Sequence, residues 1–254
     1  MIDEKIKKYL TEIENKKNIR ILFACESGSR AWGFPSPDSD YDVRFVYQHQ
    51  KEWYLGLFEE NDTIESMLEN NLFDINGWDL RKSLRLLIKS NVHLLEIIQS
   101  PIIYKVDYAF LSGITNIAKD TYSRIASIYH HFNLAKKFLS EIKDSEPFKL
   151  KKLFYILRSA VACKWILDRD DIPPMVLTDM LAGIDISDGL KNRISELIKL
   201  KSTVDEKYLH PKENELHHFI MSCIERTENE AKTLPGSKAN MKEVNSFFLN
   251  TLTA

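Results

Sequence analysis

Ile21-Leu22-Phe23-Ala24-Cys25 is an uninterrupted apolar run, and the polar stretch Glu26-Ser27-Gly28-Ser29 follows it at once. A run this short, set off by polar residues, fits a strand buried on both faces. Its surroundings alternate helix and strand. Ile2, Ile6, Tyr9, Leu10 and Ile13 recur at helical spacing, and residues 15–18 form a polar break. Val43, Phe45 and Tyr47 alternate with Asp42, Arg44 and Val46, as on a strand, after a Pro- and Asp-rich loop that ends at Ser39. Leu72–Asn76 reads as another strand. A helix then starts near Asp79, which is placed to cap it, with Leu80, Leu84, Leu87 and Ile88 as the apolar stripe. Ile97-Ile98 closes a further helical turn, and 101–104 reads as an edge strand that tolerates Pro101.

After about residue 106 the apolar patterns are helical. Ile125, Ile128, Phe132, Ala135 and Leu139 make one stripe; residues 148–168 are apolar nearly all round, which predicts a central buried helix ended by Pro173-Pro174. Further stripes run through Leu190–Ile198, Leu216–Ile224 and Met241–Phe248. The expected division is therefore an α/β part over 1–106 and an all-α part over 107–254. A chain of 254 residues buries about 70–75% of its unfolded surface and needs no disulfide or metal staple. Its 35 basic and 37 acidic residues nearly cancel, which excludes a general electrostatic drive toward nucleic acid or anionic membranes, though not a local basic patch. Cys25, Cys163 and Cys223 are scattered, without metal-ligand spacing, and are expected as buried small residues in a reducing compartment. No apolar core follows the N-terminus and no run approaches the roughly eighteen apolar residues of a membrane span, so the expectation is a cytoplasmic protein with no membrane partner.

The chemistry concentrates in the front half. Gly28-Ser29, after a buried strand and before a helix opening, suits a phosphate: glycine lets the backbone approach, amides point at the anion, and serine adds a hydroxyl donor. An isolated Gly-Ser pair is more often only a tight turn. Ten residues later come Asp40 and Asp42, two apart on the expected strand and so on one face. Two carboxylates that close repel unless something cationic lies between them, and a hard divalent ion fits that need. Asp38, between Pro37 and Ser39, reads as a loop or cap residue. Asp74, between Phe73 and Ile75, is a third strand-borne acid, costly to bury unless paired or metal-bound. Asp79 competes with it for the role of third acid, capping being its other use.

The run Glu26–Gly33, with Ser39-Asp40-Tyr41-Asp42-Val43-Arg44-Phe45 after it, resembles the DNA polymerase β-like nucleotidyltransferase superfamily. Within it the chain is most similar to predicted nucleotidyltransferases of the YcgL type, which include an RNA-ligase-associated group. Asp74–Lys82, Lys89-Ser90-Asn91, Ser100–Tyr104 and Tyr155-x-x-Arg158 through Pro173-Pro174 fit the same pattern. The resemblance implies an α+β fold: a minimal nucleotidyltransferase palm, a small mixed sheet flanked by helices, followed by an all-α helical domain. It also implies Gly28 and Ser29 at the triphosphate, and Asp40, Asp42 and Asp74 as catalytic and metal-binding acids for Mg²⁺ (or Mn²⁺). The activity it implies is transfer of an NMP from an NTP, ATP by default, with release of pyrophosphate. The acceptor is left open among an RNA end, a small molecule and a protein side chain.

Arg30 follows the Gly-Ser pair and reads equally as a phosphate contact or a surface arginine. Lys82, Arg85 and Lys89 share the polar face of their helix, by default a solvated face, with a nucleotide or polynucleotide role as the sharper reading for Lys82. Arg158, in an otherwise apolar helix, must be paired or border a cleft, with Tyr155 one turn away. The sharper reading puts both on the nucleotide or acceptor; the plainer one is a buried structural pair. The rival to an enzyme is a non-catalytic nucleotidyltransferase-like antitoxin or regulatory module, or an accessory protein that binds RNA ends.

Overall fold

Asn18 takes a left-handed φ of 50°, and this turn ends the first helix and feeds the chain directly into the first strand. The computed structural model describes residues 2–58, 60–143, 146–236 and 239–253. In chain order the front elements are α1 (Ile2–Lys17), β1 (Ile19–Glu26), α2 (Gly28–Trp32), β2 (Tyr41–His49) and α3 (Lys51–Tyr54). There follow β3 (Thr63–Leu68), β4 (Phe73–Asp79), α4 (Leu80–Leu87), α5 (Val92–Ile97), β5 (Ile103–Val106) and α6 (Tyr108–Thr121). The rest is α7 (Arg124–Ile142), β6 (Phe148–Lys149), α8 (Leu150–Asp168), α9 (Leu177–Gly183), α10 (Asp188–Lys201), β7 (Leu209–His210), α11 (Asn214–Glu230) and α12 (Met241–Thr253).

The chain forms two compact units. The first comprises residues 1–28, 40–122 and 238–254, the second residues 29–39 and 123–237. This partition departs from a single break at residue 106 for reasons visible in the packing. The apolar side of α6 joins the sheet unit, and α12 returns to it, with Phe247 stacked on Phe110 at 5.9 Å and Phe248 edge-on to Tyr54 at 5.4 Å. Residues 29–39 go the other way because Phe34 stacks on Phe154 of α8, ring centroids 4.8 Å apart.

The first unit holds a five-stranded mixed sheet in the order β3-β4-β2-β1-β5. β2 and β4 run parallel; the other neighbours are antiparallel. The apolar run lies in β1, where only Arg20 is exposed, as a strand covered on both faces requires. α1 inserts Ile6 and Leu10 on one face, against Ile21, Phe45, Phe73 and Ile75. α4 and α6 pack against β2 and β1. The edge strand β3 was not foreseen: its residues are half-buried or exposed, Met67 strongly so, and no apolar alternation marks it. β5 is the other edge, as the leading Pro101 suggested.

The second unit is built on the nearly all-apolar α8, with α7 and α11 packed along it and Phe154, Leu157, Val161 and Ile166 at its centre. All three cysteines are buried and unbridged. Among the described residues no helix is long and apolar enough to cross a membrane.

Gly77 of β4 lies opposite Phe45 of β2, and a Cβ there would stand 2.2 Å from the buried Phe45 ring. Gly77→Ala is expected to lower stability in urea by about 1–3 kcal/mol, with no change in the far-UV spectrum of the folded state.

Candidate active site

Parallel strands put their starts at the same end of a sheet. β2 opens at Tyr41 and β4 at Phe73, and the register sets Asp42 directly opposite Asp74. β1 runs antiparallel to β2 and delivers its last residue, Glu26, to the same end, opposite Val43. In-register neighbours project from the same face, so the Asp42 and Asp74 carboxylates lie side by side.

Two adjacent anions need a positive partner, and Arg44 supplies it. It lies two residues beyond Asp42 on the same strand and hence the same face. Its Nη2 donates to Asp42 Oδ1 at 3.2 Å and to Asp74 Oδ2 at 2.7 Å. Its Nη1 donates to the main-chain carbonyls of Val43 (3.0 Å) and Asp74 (2.9 Å). In the sequence Arg44 reads only as a strand residue of the motif, and its i+2 spacing from Asp42 is the one local signal of this pairing.

Gly28 approaches the pair through its backbone. Its φ is +61°, and a Cβ there would stand 2.0 Å from Asp42 Oδ2, so both conformation and space require glycine. The Ser27 amide donates to the Asp42 carbonyl at 2.7 Å. Beneath them Glu26 is a buried carboxylate: its Oε1 accepts the Asp42 amide at 2.9 Å, its Oε2 accepts the Tyr104 hydroxyl, and its carbonyl accepts Ser100 Oγ at 2.7 Å. Burial, reinforced by Glu26, pushes the Tyr104 phenol far above its usual pKa, so the phenol is the donor. Glu26 ends the apolar run, and nothing local in the sequence set it apart from a surface acid.

Asp40 corrects one expectation. β2 begins at Tyr41, so Asp40 stands one residue before the strand on which it was expected, and it is exposed. Among the described residues no three His, Cys, Asp or Glu side chains converge as a metal cluster. The arrangement is a pair of acids about one guanidinium. Asp79 lies at the far end of β4, roughly 16 Å of strand from Asp74. There it caps α4, with Oδ1 accepting the Arg81 amide at 2.8 Å and Oδ2 the Tyr54 hydroxyl at 2.6 Å. Burial raises the Asp79 carboxyl above the usual carboxylate range against both hydrogen bonds. Asp74 is therefore the acid that shares an end with Asp42.

Lys82 goes with Asp79, not with the acid pair. Its Nζ donates to Asp62 Oδ1 at 2.8 Å, and with Arg85, Trp53 and Tyr54 it lines a small cavity at that far end of the sheet. Trp53 stacks on His49, ring centroids 4.1 Å apart.

The second unit opens at Ser29, one peptide bond beyond Gly28. Ser29 Oγ donates to Ser39 Oγ at 3.2 Å, Ser39 Oγ to Glu206 Oε1 at 3.2 Å, and Arg30 Nη2 to the Ser39 carbonyl at 2.6 Å. Asp38 lies in the loop, the first of the two roles read for it, and accepts the Glu206 amide at 3.0 Å. Lys201, buried and bonded to Ser36 Oγ at 2.9 Å, holds the same loop; burial pulls its pKa below the usual lysine value. Ser39, Lys201 and Glu206 were not singled out from the sequence. Tyr155 and Arg158 meet on Trp32, the last residue of α2: the guanidinium lies 4.6 Å from the indole centroid and the Tyr155 ring is edge-on to it at 5.6 Å. Arg158 Nη2 also donates to the Met175 carbonyl at 3.0 Å.

β1, the opening of α2 at Gly28, β2 and β4 thus bring a backbone glycine beside a carboxylate pair at one end of a small mixed sheet. The chain belongs to the RNA repair pathway DNA polymerase beta family (RlaP), whose model matches residues 2–250. It is similar to the uncharacterized protein YcgL of Bacillus subtilis (strain 168), 40% identical over 244 residues that cover 96% of this chain and 94% of that one. A nucleotidyltransferase-like protein of known structure from Exiguobacterium sibiricum 255-15 aligns with 97% of this chain and 79% of its own, at 11% identity and a TM-score of 0.34.

Gly28→Ala must displace Asp42 or the backbone turn. It is expected to cost about 1–3 kcal/mol in urea unfolding, more than an alanine placed in the open space around Gly189.

Proposed function

We propose that the protein is a metal-dependent nucleotidyltransferase that moves an NMP from an NTP to an acceptor hydroxyl or phosphate, releasing pyrophosphate. The observation that carries this reading is the in-register Asp42–Asp74 pair beside the bare backbone of Gly28. The two carboxylates offer oxygen donors to a hard cation, and their partial exposure leaves them open to one. Asp42 and Asp74 would hold Mg²⁺ or Mn²⁺, with Asp40 two residues upstream as the further acid; the bound ion supplies positive charge at the reacting phosphoryl group.

The chain's own groups divide the remaining work. The Gly28 backbone and the Ser29 hydroxyl bind the β- and γ-phosphates, and Arg30 adds a cation beside them. Asp74, on the acceptor side, takes the proton of the attacking hydroxyl. Tyr155 and Arg158 act through Trp32, steadying the short helix that carries Ser29 and Arg30. Lys82 is not part of this set, since Asp62 already engages it at the other end of the sheet. ATP is the default nucleotide. The family's RNA-repair description makes an RNA end the first acceptor to test, ahead of a small molecule or a protein side chain.

The test is label transfer from α-labelled ATP, GTP, CTP and UTP with Mg²⁺ or Mn²⁺, in the presence of total RNA and total protein. The expected result is a labelled product that falls by about a hundredfold or more in Asp42→Asn. NTP binding that needs metal, without transfer, identifies the acceptor as a small molecule missing from the mixture. Neither transfer nor binding overturns the enzyme reading in favour of a non-catalytic antitoxin or regulatory module. RNA-end binding alone, falling steeply with salt, points instead to the accessory role.

A further inference from the structure

We infer that Arg44 is the resident counter-ion of the candidate cation site, and that a divalent ion enters only by displacing its guanidinium from Asp42 and Asp74. The inference rests on the proposal that these two carboxylates hold the metal.

Three observations carry it. One nitrogen, Nη2, reaches both carboxylates, at 3.2 and 2.7 Å, so Arg44 already holds the position between them that a shared cation needs. The other nitrogen, Nη1, is tied to the carbonyls of Val43 and Asp74, and the side chain is only 15% exposed. The guanidinium is thus an anchored part of the sheet end and not a loose surface charge. A guanidinium also presents its donors in a fixed planar fork, so one side chain holds both acids while tied to the two carbonyls.

Two carboxylates in register cannot both stay ionised and unpaired without cost. Arg44, bonded to both acids, offsets that cost. It also raises the threshold for metal, because an ion must break two charge-assisted hydrogen bonds and then sit beside a tethered positive charge. Lysine at this position would keep the charge; glutamine would remove it and leave the acids to the metal.

The experiment measures Mn²⁺ binding to the full chain by the EPR signal of the free ion, together with melting temperatures in EDTA and in Mg²⁺. Arg44→Gln is expected to bind Mn²⁺ about tenfold or more tightly than the wild type, and Arg44→Lys to stay within about threefold of it. Arg44→Gln should also melt below the wild type in EDTA and recover in Mg²⁺. Equal or weaker Mn²⁺ binding by Arg44→Gln, with binding still lost in Asp42→Asn, overturns the inference and leaves the metal-site reading standing. Absence of binding in both the wild type and Arg44→Gln, with both folded, overturns the two together. Should Arg44→Gln not fold, side-chain NMR of the wild type decides. Slow guanidinium rotation at Arg44 that is released by Mg²⁺ supports the inference, and rotation unchanged by a Mg²⁺ that binds refutes it.

Discussion

The parallel pairing of β2 with β4 is the constraint from which the candidate site follows. It sets Asp42 against Asp74, and it leaves Arg44 one pleat further along the same face. A slip of one residue would turn Asp74 to the other side of the sheet and bring Phe73 or Ile75 in its place. Both are fully buried, so the hydrophobic core that fixes the register also fixes the charge pair. Packing and function are coupled at this point: the apolar residues that alternate with the acids cannot move without moving the acids.

The end of the sheet is held from below as well. Glu26 accepts the Asp42 amide and the Tyr104 hydroxyl, and its own carbonyl accepts Ser100. A buried carboxylate without such partners would be costly; with them it ties β1, β2 and β5 together beneath the site. In the second unit a parallel arrangement supports the loop that carries Ser29. Ser39, Glu206, Ser36 and Lys201 form a hydrogen-bonded set around it, and Phe34 anchors it to α8. The chain leaves the sheet unit after Gly28 and rejoins it at Asp40, so each unit steadies the residues it carries.

Much of this was legible locally. The apolar run Ile21–Cys25, the Gly28-Ser29 turn, the strand positions of Asp42 and Asp74 and the cap at Asp79 are each defined by a few neighbouring residues. What escaped the sequence depends on distant pairing. Parallel register between residues 41–47 and 73–79 has no local signature, and without it Arg44 is only one more strand cation. The edge strand β3 carries no clear apolar alternation because neither of its faces is fully buried: Thr63, Ile64, Ser66 and Leu68 are half-buried, and Glu65 and Met67 are exposed. Lys82 read as a site residue because it follows Asp74 closely in sequence, yet β4 carries it to the opposite end of the sheet. Asp40 read as a strand residue because its spacing from Asp42 matches the pleat, but the strand opens one residue later.

The most direct measurement is the position of Mn²⁺ in a crystal of the protein grown with a non-hydrolysable NTP analogue, located by anomalous scattering. The account places the ion on the Asp42 and Asp74 carboxylates, with the Arg44 guanidinium moved off them. An ion bound elsewhere, with Arg44 still bridging both acids, would contradict it.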